Sequence, residues 1–201
     1  LNVLLSAKES KVRRVVYSAS SSAYGDVNNP PLTEDMPTDP MSPYAVQKLI
    51  GEQYCTVFSK VYGLETVNLR YFNIYGERQV SDGAYATVIG IFLKQKKDGQ
   101  KLTITNDGEQ TRDFTYVKDV VSANLLASTS DLVGRGEVIN IGRGENYSVN
   151  QIAKAIGGET EFVGERLEPK ETLADNSKAK QLLNWEPKGN VIDWLANTKS
   201  E

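Results

Sequence analysis

An α/β fold, built on a parallel sheet and extended by a smaller mixed lobe, is predicted by three features of the 201 residues. The first half alternates β-branched runs with a helical pattern: RRVVYSA, then PYAVQKLIGEQYCTVFSKVY, then TVNLRYF. Consecutive strands separated by a helix run parallel, because a crossover of that length returns the chain to the same end of the sheet. From about Gly76 onward short strand patterns mix with helices, which divides the chain into residues 1–75 and 76–201. Composition is the third feature: 39% hydrophobic and 24% charged residues supply a core and exclude wholesale disorder.

The opening LNVLLSAKESKV reads as the end of a helix leading into the strand RRVVYSA. Residues 25–43, GDVNNPPLTEDMPTDPMSP, hold five of the seven prolines and form a long irregular loop. Compact domains usually reserve loops of that length for function. Ser42-Pro43 starts a helix: the serine caps the first N–H groups, and a proline at the first position gives up an N–H that would have no partner. That helix runs from Pro43 to Tyr62 and stops at Gly63, a natural left-handed cap. TVNLRYF follows as a buried strand, then a helix over Tyr85–Lys97 ended by Gly99, and a short strand at Thr103–Thr105. VKDVVSANLLAST has a period of about 3.6 residues, EVINIG reads as a strand, SVNQIAKAIG as a helix capped by Ser148, and SKAKQLLNW as another helix. Asp119 reads as a structural residue at its helix start, Trp185 and Trp194 as packing of the C-terminal lobe, and Cys55 as a small buried hydrophobe.

Several function classes are excluded at this stage. The net charge of −3 gives no electrostatic case for nucleic-acid binding. There is no histidine, which removes Ser-His-Asp and Cys-His catalysis and His-ligated zinc, and no metal site is expected. One cysteine cannot build a disulfide framework and fits a reducing, cytoplasmic setting. No stretch approaches the roughly 20 apolar residues of a membrane span, and the longest apolar run, Ala86–Leu93, is broken by Thr87 and Gly90. The chain starts at Leu1 partway through a helical pattern, so a longer parent protein is expected.

Tyr44 and Lys48 stand four apart at the start of the Pro43 helix, on one face and one turn apart. A free phenol has a pKa of about 10 and is a poor base; a nearby ammonium favours the phenolate. Such a pair can take a proton from an alcohol or sugar hydroxyl while hydride leaves the same carbon. The pair alone also occurs in many ordinary helices. What precedes it adds weight: the strand RRVVY runs into SASSSAYG, small hydroxylated residues at the carboxyl end of a parallel strand, where open α/β sheets bind ligands.

Taken in order, SASSSAYG, SPYAVQK, LRYFNIYG, QTRDFTYVKD and LADNSKAKQLLNWEP resemble the extended short-chain dehydrogenase/reductases. Within them the chain is most similar to the nucleotide-sugar epimerases and dehydratases, closest to UDP-N-acetylglucosamine and UDP-glucose 4-epimerases. The resemblance spans nearly the whole chain. It implies that residues 1–75 are the C-terminal half of a Rossmann-like sheet holding NAD. Residues 76–201 would be mainly a substrate lobe for a nucleotide sugar, with some segments returning to the sheet. It also implies a homodimer paired through a four-helix bundle that includes the Tyr44 helix. The family's Gly-rich dinucleotide loop does not occur here: none of the sixteen glycines forms G-x-x-G-x-x-G or G-x-G-x-x-G. That stretch is expected upstream of Leu1, and this chain alone is expected to bind NAD poorly.

By the same resemblance Tyr44 is the catalytic base and then acid, Lys48 lowers its pKa and holds the nicotinamide ribose, and Ser20 bridges Tyr44 and the sugar 4-hydroxyl. Ser21 and Ser22 line the sugar pocket, Tyr71 lies beside the nicotinamide, and Asn73 meets the substrate diphosphate; Phe72 reads as core. Arg112, in TRDF, takes the diphosphate, for which a planar guanidinium is suited. Arg166 is the second phosphate or ribose contact, across a spacing to LAD one residue shorter than in the epimerases. Ala86–Val88 offers backbone to the nucleobase. The family's 4,6-dehydratases carry Asp-Glu where this chain has Ser21 and Ser22, which disfavours elimination and leaves 4-epimerisation through a 4-keto sugar. Thr172 matches a position where a bulky tyrosine restricts epimerases to unsubstituted hexoses; a small residue leaves room for a 2-N-acetyl group. A dehydratase reaction, UDP-glucuronate epimerisation or decarboxylation on the same scaffold, and an inactive or non-enzymatic fragment lacking the dinucleotide loop, are the alternatives.

Overall fold

The computed structural model of the protein describes residues 1–83 and 86–198. Its centre is a parallel sheet of three strands, β1 (Arg14–Ser20), β2 (Glu65–Tyr71) and β7 (Arg135–Ile141), in the order β1-β2-β7. The long helix α2 (Pro43–Tyr62) crosses one face, and α4 (Val117–Thr129) and α6 (Ser177–Leu183) cover the other. Helix α1 (Asn2–Glu9) packs beside α2 through Leu4 and Ala7. Its register divides β2 cleanly. Val67 and Leu69 join Val120, Ala123, Ile139, Ile141 and Leu183 in the core under α4, while Thr66, Asn68 and Arg70 are buried on the α2 side. Alternate side chains of a strand point to opposite faces, so one strand serves an apolar core and a polar one together.

The second lobe carries short pairs of strands. β3 (Ile74–Tyr75) pairs in parallel with β6 (Thr115–Tyr116), and β4 (Leu102–Ile104) with β9 (Thr160–Phe162). β5 (Thr111–Asp113) runs antiparallel to β8 (Asn146–Ser148). Helices α3 (Val88–Lys97), α5 (Val149–Ile156) and α7 (Val191–Thr198) close a core of Tyr75, Ile89, Phe92, Leu102, Ile104, Ile152, Ile156 and Leu195. One carboxylate ties this lobe to the sheet. Asp113, fully buried, accepts the backbone N–H of Arg143, Gly144 and Ala174, each at 2.8 to 3.1 Å.

Where local chemistry decides, expectation and structure coincide. Ser42 Oγ accepts the Ala45 N–H at 3.1 Å, Pro43 opens α2, and Gly63 ends it at φ +69°. Ser148 caps α5, and Gln151 returns the favour as a capping box. Three expectations need correction. Helix α3 begins at Val88, after Thr87 at its N-cap, and not at Tyr85, which lies outside the described residues. The strand expected at Thr103–Thr105 runs one residue earlier, Leu102–Ile104. Trp185 belongs to the core of the main sheet, not to the lobe: its indole N–H donates to the Asp119 carbonyl on α4 at 2.9 Å. Trp194 does pack in the lobe core, edge-on to Tyr75. Asp119 is structural, as read, but it holds the distant turn at Lys188 and Gly189, whose N–H groups it accepts.

Candidate active site

The site is assembled where β1 ends and α2 begins. Ser20 closes β1 and the chain turns at once into a single 3-10 turn, Ser21–Tyr24. Ser20 Oγ accepts both the Ser22 N–H, at 3.2 Å, and the Ser22 hydroxyl, at 2.8 Å. Its own proton is thereby left to be donated elsewhere. Ser22, read from sequence as a pocket wall, therefore also orients Ser20.

On α2, Tyr44 presents its side chain at the surface, 40% exposed, and Lys48 follows one turn on. Lys48 Nζ donates to the Ser18 carbonyl at 2.9 Å and lies between two phenol rings, 5.8 Å from the centre of Tyr17 and 5.7 Å from that of Tyr44. Burial draws the Lys48 ammonium below the ordinary lysine value. Burial likewise raises Tyr17, helped by the neighbouring Cys55, Tyr44 and Glu52. Tyr71 stands on the opposite side of the sheet. Its hydroxyl meets Ser18 Oγ at 3.2 Å and donates to Asn124 of α4 at 3.0 Å. Phe72 is wholly buried, as expected of a core residue.

A second cluster gathers residues named for the diphosphate. Arg112 is mostly buried and donates to Glu168 Oε2 at 2.7 Å and to the Thr111 carbonyl at 2.7 Å. The other Glu168 oxygen accepts Gln110 and Asn106, both at 3.2 Å. Asn106 also clamps the backbone of Arg166 from both sides, leaving that side chain exposed. Thr172 lies alongside, its N–H on the Thr111 carbonyl, and its buried hydroxyl has no hydrogen-bond partner among the described residues. Asn73 donates to the Asp113 carbonyl at 3.0 Å, placing it next to the same strand. The structure thus brings Arg112, Thr172 and the Arg166 backbone together; Tyr44 and Lys48 lie together against β1, at whose end Ser20 and Ser22 bond each other. Sequence reasoning missed Glu168; no local pattern marks a glutamate whose partners come from residues 56 to 63 positions away.

A cleft of about 650 Å³ between the Gly76–Ser81 loop, α3 and α7 holds none of these residues. Among the described residues no group of three or more His, Cys, Asp or Glu could hold a metal ion. Nor is any described helix long and apolar enough to cross a membrane.

A tyrosine–lysine pair packed on a parallel strand that ends in a serine turn is an arrangement able to move a proton on a hydroxyl-bearing ligand. The comparisons narrow it. The NAD dependent epimerase/dehydratase family matches residues 1–142. A putative UDP-glucose 4-epimerase of Methanocaldococcus jannaschii is 37% identical over 98% of this chain and 68% of its own length. The UDP-N-acetylglucosamine 4-epimerase of Methanobrevibacter ruminantium, solved with UDP-N-acetylmuramic acid, superposes with a TM-score of 0.91 at 34% identity, over 99% of this chain and 66% of its own. The UDP-glucose 4-epimerase of Thermotoga maritima, solved with UDP-glucose, gives 0.90 at 35% identity, over 99% and 68%. The chain belongs to the NAD dependent epimerase/dehydratase family. It spans about two thirds of the length of these relatives.

Proposed function

We propose that this chain carries the proton-transfer residues and the nucleotide-sugar lobe of an NAD-dependent 4-epimerase acting on a UDP-hexose or UDP-N-acetylhexosamine. The observation that carries the reading is Lys48 held beside Tyr44 and bonded to β1, the strand that ends in a Ser20 hydroxyl whose proton is free to be donated. Two hydroxyls follow Ser20 where elimination would need carboxyl groups, so proton and hydride exchange at one carbon is the chemistry these side chains favour. The donor set fits the nicotinamide end of the cofactor: an ammonium and two phenols, Tyr44 and Tyr71, near the carboxyl ends of β1 and β2 can meet ribose hydroxyls and an amide ring. When bound, NAD would take a hydride from the sugar and return it. Tyr44 would receive the 4-hydroxyl proton through Ser20, with Lys48 favouring the phenolate, and give it back to the inverted hydroxyl. Arg112, preset by Glu168, would meet the diphosphate, with Asn73 and Arg166 beside it. Thr172 has a buried hydroxyl without a hydrogen-bond partner among the described residues, and its small size, where the resemblance puts a bulky tyrosine in enzymes of unsubstituted hexoses, supports tolerance of an N-acetyl group. A homodimer is part of the same reading.

The test supplies NAD with UDP-N-acetylglucosamine or UDP-glucose, and follows the C4 epimer by proton NMR. It uses the 201-residue chain and the same chain fused to the dinucleotide-loop segment of a relative. Turnover of the fusion with retention of a 2-N-acetyl sugar is expected, and Tyr44→Phe should remove at least a hundredfold of it with the fold intact. A 4-keto sugar that accumulates, or a Tyr44→Phe variant of normal rate, would overturn the assignment.

A further inference from the structure

Tyr44, Lys48, Glu52 and Thr56 follow at four-residue steps along α2 and share the face turned to the sheet. A lysine and a glutamate at this spacing are helix neighbours and ordinarily attract each other. Here no ion pair joins them. Glu52 is 2% exposed, and both its oxygens are taken by Arg70 of β2: Nε to Oε2 at 2.9 Å and Nη2 to Oε1 at 2.6 Å. The guanidinium is fixed in turn, 4.5 Å from the centre of the Tyr24 ring, and Tyr24 donates to Asn140 Oδ1 at 2.7 Å. Thr66 and Asn68, the other β2 residues on this face, are neutral, so the cations that α2 and β2 offer Glu52 here are Arg70 and Lys48. A buried carboxylate without a partner is costly enough to draw in the nearest cation.

We propose that Arg70 is a positioning residue for Lys48: by holding both oxygens of Glu52 it keeps that carboxylate from drawing the ammonium down α2, and so keeps the ammonium beside Tyr44. The groups facing Lys48 are Tyr17 and the Ser18 carbonyl from β1 and Tyr44 from its own helix, with Glu52 the one carboxylate within helix reach. The charge-matched, two-pronged guanidinium satisfies the carboxylate in full, which a point charge would not. The functional meaning rests on the reading of Tyr44 and Lys48 as the proton-transfer pair.

The experiment titrates the Lys48 side chain directly, by its Cε and Nζ resonances in the labelled chain, with Lys48→Met to assign them. Arg70→Met should raise the Lys48 pKa by about one unit or more, as the freed Glu52 becomes its partner. The double variant Glu52→Gln/Arg70→Met removes both charges, a change that buried pairs commonly tolerate, and should return Lys48 to within a few tenths of wild type. A merely structural Arg70 would not give that rescue. An unmoved Lys48 in Arg70→Met, or a fall of a unit in the double variant, overturns the proposal. Should Arg70→Met not fold, Arg70→Lys takes its place: a smaller rise supports the proposal and no rise overturns it. No cofactor or substrate enters this titration, so its failure is distinct from a failed turnover assay.

Discussion

Gly51 is where α2 lies against the Tyr17 side chain of β1. A Cβ there would lie 2.1 Å from the Tyr17 hydroxyl and 2.3 Å from the ring carbon bearing it. In an open helix interior, glycine to alanine stabilises by about 1 kcal/mol. At this position the added methyl must push the Tyr17 ring, one wall of the Lys48 site, and overpacking of that kind costs about 1–3 kcal/mol. Gly51→Ala is therefore expected to destabilise the chain, and Tyr17→Val in the same chain should recover part of the loss, a coupling readable from urea unfolding of the two singles and the double. Stabilisation by Gly51→Ala would show that the ring is not packed as described. The same residues show what the sequence could tell. Tyr44, Lys48 and Ser20 were legible because a helix spacing and a strand-end hydroxyl run are local signals. Glu168 and the Glu52–Arg70 pair were not, because each acquires its meaning from a partner on another element.

At the scale of elements, α2 and α5 were legible to their serine, proline and glycine caps, since those residues act within one turn; the Gln151 half of the α5 capping box came from the structure. Of the strands of two or three residues only β4 was read; β3, β5, β6, β8 and β9 were not, because nothing in so short a run separates strand from loop until a partner is in place. Asp113 on β5 governs how those pieces join. Burial raises its carboxyl to about 6, against the opposing pull of the Ala174, Gly144 and Arg143 N–H groups. A pKa raised on folding means the native state binds the proton more readily. The stabilising contribution is then fully present below the ordinary carboxylate range and is lost as pH rises through about 6. Between pH 7 and about pH 4 this group should add on the order of 2 kcal/mol to stability. Asp113→Asn cannot titrate and turns an N–H₂ toward a backbone donor, at a cost of about 1–3 kcal/mol. Urea unfolding at both pH values should show the acid-side gain smaller in the variant by about 2 kcal/mol, the lost titration, while the amide mismatch lowers stability equally at both. Identical pH slopes would remove Asp113 from the account.

For the whole molecule, the outward side of α2 raises the question of assembly. Val46, Ile50, Tyr54, Val57 and Val61 are all at least 40% exposed, at steps of four, four, three and four residues. That spacing is the seam of a helix that packs on another helix, and the opposite face of the same helix carries Tyr44 and Lys48. Within the proposed homodimer, two copies pairing along this seam would press each Tyr44 helix onto its own sheet from outside, while Arg70 and Glu52 hold it from within. Sedimentation of the chain should show a concentration-dependent dimer, and Ile50→Glu or Val57→Glu should shift it to monomer. Because these side chains are exposed in the single chain, unfolding of the dilute monomer should change by no more than about 0.5 kcal/mol. Leu125→Glu on α4, more exposed than Ile50 or Val57 but on the other side of the sheet, is the control and should leave association unchanged. A chain that remains monomeric at all concentrations, or that loses its dimer to Leu125→Glu and not to Ile50→Glu, would place the assembly surface elsewhere.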